Sequence, residues 1–417
     1  MALRVAYVLL VSERPEAGVG AKRLLGEAIG GRGDTFFFHN TANLLAEGRG
    51  FSDPFVFLAQ GRLVPTGSHP PLFSLVLAIV SKLGGTSYLA HQLAGAVLGA
   101  VTVALVGLIG RRVGGPRAGL IAALVAAVYP VLVSADGALM SEALYGALIA
   151  GALLLGFRLA DRGDRLSALA LGVVIGLAAL TRTEALLLVP LLGLPLALRG
   201  SDGRAARAVL VCAGCALALL PWTLRNLSAF ERPLLVTSND GTVLAGANCP
   251  ATYSGIDVGA WRFDCISARR TADDSVQGAR WRSEGLDYAR EHAGELPRVL
   301  AVRLLRTWDF FQPRRQVRFA EGRPARAQQL ATGAYYLLLP LAIAGAVLLR
   351  RRPLELALLL CPALLVSLAS LLGYGLPRFR HAAELSIVVL AAAALAAILA
   401  ACASRWRASP GGSPSSP

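Results

Sequence analysis

The stretch Gly33-Asp34-Thr35-Phe36-Phe37-Phe38-His39-Asn40-Thr41-Ala42-Asn43 sets one acid and one histidine around three consecutive phenylalanines. It follows a short apolar N-terminus and precedes a long series of apolar segments. An acid there sits at a membrane surface, on whichever side the first loop faces. A solvated loop acid is the plain alternative for Asp34, and the charge distribution along the chain decides between the two.

The chain has 417 residues, 55% of them hydrophobic, with a mean hydropathy of +0.57. Charged residues make up 16%, against about 25% in soluble domains. This is the composition of an all-α polytopic membrane protein. The net charge of +15 does not indicate a nucleic-acid partner, because much of the arginine falls in short turns between apolar runs, as the positive-inside rule expects.

Apolar segments at 89–110, 118–134, 143–159, 166–180, 185–198, 206–224, 334–349, 354–372 and 382–401 read as spans. Residues 2–11 are too short to cross a hydrocarbon core of about 30 Å and read as a first helix cut off at its N-terminal end. The turns 111–117, 158–165, 199–207 and 350–352 are rich in arginine. Placing them inside puts Asp34, the 136–142 turn, the 181–184 turn, the long polar segment 225–332 and the 374–381 turn outside. That parity holds only if 69–85 does not cross, so this stretch reads as an interfacial helix within the first outer loop, 12–88. The total is about ten spans. The expected organisation is a transmembrane catalytic module over 1–224, a small α-rich extracytoplasmic insertion over 225–332, further transmembrane helices over 333–404 and a disordered cytoplasmic tail over 405–417.

Five features share the outer face. Asp34 is the first, with His39 nearby. Asp136 and Glu142 lie at the mouth of a helix pair, where capping by Ser141 and a first-turn Glu142 is the ordinary alternative. Arg182 and Glu184 interrupt an apolar run, and charge at membrane depth costs a few kcal/mol unless paired or wetted. Arg225 follows the interfacial Trp222, which could equally be a simple aromatic anchor. Arg378 and Arg380 stand outside against the charge rule and could clamp a phosphate. His69, at the head of the Pro70-Pro71 stretch, is a further candidate for acceptor binding or support, as are His39, Asp136 and Glu184. Cys249 and Cys265 lie in the long polar segment and would form a disulfide outside the cytoplasm.

The order of motifs resembles the polytopic GT-C glycosyltransferases, the superfamily of protein mannosyltransferases and aminoarabinose transferases, including actinobacterial relatives. The matching pieces are Gly33-Asp34, Ala42-Asn43-Leu44-Leu45-Ala46-Glu47-Gly48-Arg49-Gly50-Phe51, His69-Pro70-Pro71-Leu72, Met140-Ser141-Glu142-Ala143-Leu144, Leu180-Thr181-Arg182-Thr183-Glu184, Pro221-Trp222-Thr223-Leu224-Arg225-Asn226 and Arg378-Phe379-Arg380. A tyrosine that usually follows the loop acid is replaced here by Phe37-Phe38. The resemblance implies inverting transfer of a sugar from a polyprenyl-phosphate donor to a cell-envelope acceptor at the outer face of the cell membrane. Asp34 matches the family's base and Glu142 its second-loop acid, with Arg378, Arg380, Arg182 and Arg225 available for the donor phosphate. No cofactor is certain; a divalent cation (Mg or Mn) is compatible with two acids, and its ligands are unknown. The rival class is a lipid-linked sugar flippase or other transporter, for which repeats and midplane charge would be expected.

Overall fold

The computed structural model describes residues 1–12, 33–317 and 322–408. Among them all regular elements are helices, and six are long and apolar enough to cross a membrane. The longest, Tyr88–Val128, is two helices. At its middle Gly115 has φ 81° and ψ −176°, and Pro116 follows. A Cβ added to Gly107 would touch Ala123, and one added to Gly110 would touch Ala122. Residues twelve or more apart along a straight helix lie at least about 18 Å from each other. The chain therefore folds back at Gly115, and small residues let the two halves pack closely. The basic turn expected at 111–117 is this hairpin.

Among the described residues six helices meet the length and hydropathy requirement of a full crossing, the hairpin counting once, and three shorter apolar helices accompany them. The apolar helix Arg165–Ala179 is shorter than a full crossing. The expected span 185–198 is not one α-helix. It runs as a 3-10 turn Thr183–Leu187, a wide turn Val189–Gly193 and one α turn Leu194–Ala197. Pro190 and Pro195 withhold backbone donors here, which prevents a regular ladder. The helix Leu72–Lys82 has 11 residues, with Phe73 and Leu77 buried and Leu75 and Ile79 exposed, the one-sided pattern of a helix lying in the interface.

The helix His381–Ala408 runs through the centre of the bundle. Its first half, from Ala382 to Ala392, is almost wholly buried against the hairpin and the helix Ala325–Leu348. It extends past 405, where a disordered tail was expected; 409–417 lie outside the described residues, as do 13–32 of the first loop.

The insertion packs a small core of Tyr253, Val258, Val299 and Val302, with Tyr288 and Phe311 at its edge. Trp308 joins the main bundle instead, and Phe263 and Phe310 stay exposed. Two helices of the insertion are Asp274–Glu291 and Leu296–Thr307; Gly294 lies in the break between them, and Pro297 sits in the first turn of the second, where its missing N–H costs nothing. Cys249 and Cys265 are bonded, with Cα atoms 6.1 Å apart.

Candidate active site

Asp34 lies in the first turn of the helix Gly33–Ala46, where backbone N–H groups favour an anion. Phe36, Phe37 and Phe38 are buried and fix this helix. Phe37 and Phe38 also hold the His69 ring, with centroids 4.4 and 5.3 Å away. His69 Nε2 lies 3.7 Å from Asp34 Oδ1.

The strap that delivers His69 is tied at several points. Asp274 accepts from Thr66 Oγ1 at 2.7 Å and from Gly67 N at 2.9 Å. Ser238 N donates to Gly67 O at 2.9 Å, and Thr237 Oγ1 to Ser68 O at 2.6 Å. Beyond it Leu72 N donates to Leu180 O at 2.9 Å.

Arg378 enters from the 3-10 turn Pro377–Arg380, just before the central helix. Its Nη2 donates to Asp34 Oδ2 at 3.0 Å, and its Nε lies 3.2 Å from Glu142 Oε1. The same Glu142 oxygen accepts from Arg182 Nη1 at 3.3 Å, and Arg182 Nε donates to Glu184 at 2.6 Å. The result is one line of alternating charge: Asp34, Arg378, Glu142, Arg182, Glu184. Glu142 is 1% exposed and Asp34 27%. Asp34 is thus the acid of that pair that an incoming molecule can reach, while Glu142 anchors both arginines from below.

Burial pushes the Asp34 carboxyl up, but the charges of His69 and Arg378 and the Arg378 hydrogen bond outweigh it, and its pKa lies below the ordinary value. Burial pushes His69 down despite the neighbouring Asp34. His69 and Arg378 are the two groups that oppose burial at Asp34 and keep its carboxylate ionised.

Two further residues meet the cluster without having been singled out in the sequence. Arg323 is 7% exposed and within electrostatic reach of Glu142 and Arg378; its Nη2 is buried with no hydrogen-bond partner among the described residues. His381, 3% exposed, also faces Glu142. Arg323 carried the same signal as Arg378, a basic residue on the acid-bearing side.

Four sequence candidates lie elsewhere. Arg380 points inward, pairs with Glu384 at 2.5 Å, donates to Thr307 O at 3.1 Å and stacks on Tyr335. A 3-10 turn has three residues per turn, so residues two apart cannot face the same way, and a joint clamp by Arg378 and Arg380 does not form. Arg225 donates to Thr66 O and Phe51 O, each at 2.9 Å, and so pins the first loop. Asp136 is bound to Arg4 at 2.6 Å inside the bundle. His39 meets His91 at 3.0 Å and stacks on Tyr88; burial and His91 hold its pKa down at about 3.

Residues 68–224 match the family described as dolichyl-phosphate-mannose-protein mannosyltransferase. The apo oligosaccharyltransferase of Archaeoglobus fulgidus aligns over 98% of the chain with a TM-score of 0.57 and 17% identity. The fold is that of the GT-C glycosyltransferases. The archaeal oligosaccharyltransferase AglB of the same organism, in complex with an inhibitory peptide and a dolichol-phosphate, aligns over 93% of the chain at TM-score 0.52 and 15% identity. The chain spans about half the length of these structures, covering 50% and 49% of them. ArnT from Cupriavidus metallidurans bound to undecaprenyl phosphate aligns at TM-score 0.39 and 15% identity over 92% of the chain and 77% of its own length, too loosely to argue from. Among curated proteins no sequence matches the chain. With its apolar helices, the chain is a multi-pass membrane protein.

One archaeal oligosaccharyltransferase structure is a complex with Zn and sulfate. Among the described residues of this chain no three His, Cys, Asp or Glu side chains converge on one point. The site acids each face an arginine, so a divalent cation at Asp34 and Glu142 would have to displace Arg378. Among the described residues the site as it stands does not fit a metal.

Proposed function

We propose that the chain transfers a sugar from a polyprenyl-phosphate donor to an acceptor on the extracytoplasmic side of the cell membrane, with Asp34 as general base. An acceptor hydroxyl attacks C1 of the sugar as the bond from C1 to the phosphate oxygen breaks, with inversion. The hydroxyl proton passes to an Asp34 carboxylate oxygen. Arg378 meets the charge that grows on the leaving phosphate, and a monophosphate answered by arginine has its charge balanced. Glu142 is a positioning residue that holds Arg378 and Arg182 in place. His69 bounds the acceptor side.

The observation that carries this reading is the Asp34–Arg378 pair, 3.0 Å apart and partly open: a base and an anion-binding cation in one place. The match of residues 68–224 to a dolichyl-phosphate-mannose transferase family and the dolichol-phosphate named in the AglB complex support the donor class. Incubating membranes that contain the full chain with a panel of radiolabelled polyprenyl-phosphate sugars tests it. One sugar should move into an envelope fraction at a rate well above that of membranes lacking the chain. No transfer from any member of the panel would count against the donor class.

A further inference from the structure

A second basic site lies in the insertion, away from the Asp34 cluster and sharing no residue with it. Ile256, Gln312, Pro313, Arg314 and Arg315 line an open cavity of about 430 Å3. Asp257 is answered twice, by Arg262 at 2.8 Å and by Arg315 at 3.1 Å, with Arg306 close by. Arg314 is exposed and has no acidic partner among the described residues. The patch is therefore cationic, and its charge is not used up internally.

Gln312 adopts φ 50° and ψ 50°, a left-handed conformation that a residue with a Cβ seldom takes. Its Oε1 is buried without a hydrogen-bond partner among the described residues. Strain and an unpaired polar atom at the wall of a basic cavity are features that cluster at ligand sites.

The turn that carries the cavity packs on two helices able to cross a membrane. Trp308 Nε1 donates to Ser367 Oγ at 3.1 Å, and Tyr336 Oη donates to Asp309 O at 2.5 Å, so the turn rests on the helices Pro353–Leu372 and Ala325–Leu348. Phe310 and Ile256 are exposed beside the cavity, and the Phe310 ring lies 6.3 Å from that of Tyr336. Below Tyr336, Leu337 is 77% exposed on a helix able to span. Apolar side chains are thus exposed both at the cavity, on Ile256, and beside a helix able to span, on Phe310. Arginines on the acid-bearing side run against the positive-inside trend and call for an anionic counterpart.

We propose that this cavity binds the phosphate headgroup of an anionic membrane phospholipid, with Arg314 and Arg315 on the phosphate and the acyl chains along Phe310, Tyr336 and Leu337. Basic pockets at the ends of membrane helices recognise such headgroups by their charge. The proposal does not depend on the transferase reading.

The test is native mass spectrometry of the full chain in micelles doped with phosphatidylglycerol or with phosphatidylcholine. The wild type should retain phosphatidylglycerol in preference, and Arg314→Gln should cut that retention about fivefold, as expected for one basic residue beside an anionic lipid. Arg298→Gln, an exposed arginine elsewhere in the insertion, should leave it unchanged. Equal retention by wild type and Arg314→Gln, equal retention of the two lipids, or full displacement by glycerol phosphate would each overturn the lipid assignment.

Discussion

Arg378 donates to Asp34 at 3.0 Å across 344 residues of chain. The contact closes the site from both ends of the sequence, joining the first-loop helix to the turn that begins the central helix. It also couples the proposed base to the cation proposed for the donor phosphate. A phosphate that draws Arg378 toward itself would leave Asp34 less restrained, and a less restrained carboxylate is a better base. Donor should therefore bind first. Initial-rate kinetics with both substrates varied, together with product inhibition, should show an ordered pattern; acceptor binding tightly to the donor-free protein would contradict it.

Removing the cation should act on binding and on protonation together. Arg378→Ala should raise the donor KM about tenfold or more, the worth of one charged hydrogen bond. An unchanged donor KM would argue against phosphate contact.

The pH dependence follows from the same pair. The folded-state pKa of Asp34 lies below 3.8. The pair's stabilising contribution is then complete above 3.8 and fades as pH falls through the lower folded value. In the wild type the acid limb of kcat/KM should lie below about pH 4. In Arg378→Ala the burial that raises the pKa is less opposed, so the limb should move to higher pH. A limb that stays in place would show that Arg378 does not set the ionisation of Asp34.

Glu142 is buried beneath two arginines. Glu142→Gln removes the anion and leaves both cations, which costs about 3 kcal/mol in a buried network. Thermal unfolding in detergent should fall by several degrees, and donor KM should rise with Arg378 no longer fixed. A variant as stable as the wild type would mean that the pairing carries little weight.

Asp274 should act at a distance. It holds the strap ahead of His69 through Thr66 and Gly67. Asp274→Ala should speed amide exchange at Gly67 and lower kcat several-fold with donor KM little changed. Rapid exchange without any loss of rate would remove the strap from the catalytic account.

Much of this arrangement could be read in the sequence because charge in a membrane protein is sparse and expensive. The arginine-rich turns fixed a parity, and that parity alone placed Asp34, Glu142, Arg182, Glu184 and Arg378 at one end of the bundle, where the structure brings them together. Local geometry was harder to read. Whether Arg378 or Arg380 faces the site depends on the three-residue period of one short turn. Pro190 and Pro195 break a segment whose hydropathy alone suggests a clean span. Arg323 lies close to a run of arginines, and nothing in the sequence marks which of them is buried against Glu142. Asp136 looked like a partner of Glu142 by proximity, yet Arg4, 132 residues away, takes it into the bundle.

The most direct test of the account is the transfer rate of Asp34→Asn in membranes, measured beside its expression level and its melting temperature. The side chain keeps its size and can still accept from Arg378, but it cannot take a proton. The account predicts a correctly inserted protein, stable enough to assay, whose transfer falls at least about a hundredfold, the usual worth of a general base. Transfer by the Asp34→Asn variant at close to the wild-type rate would contradict it.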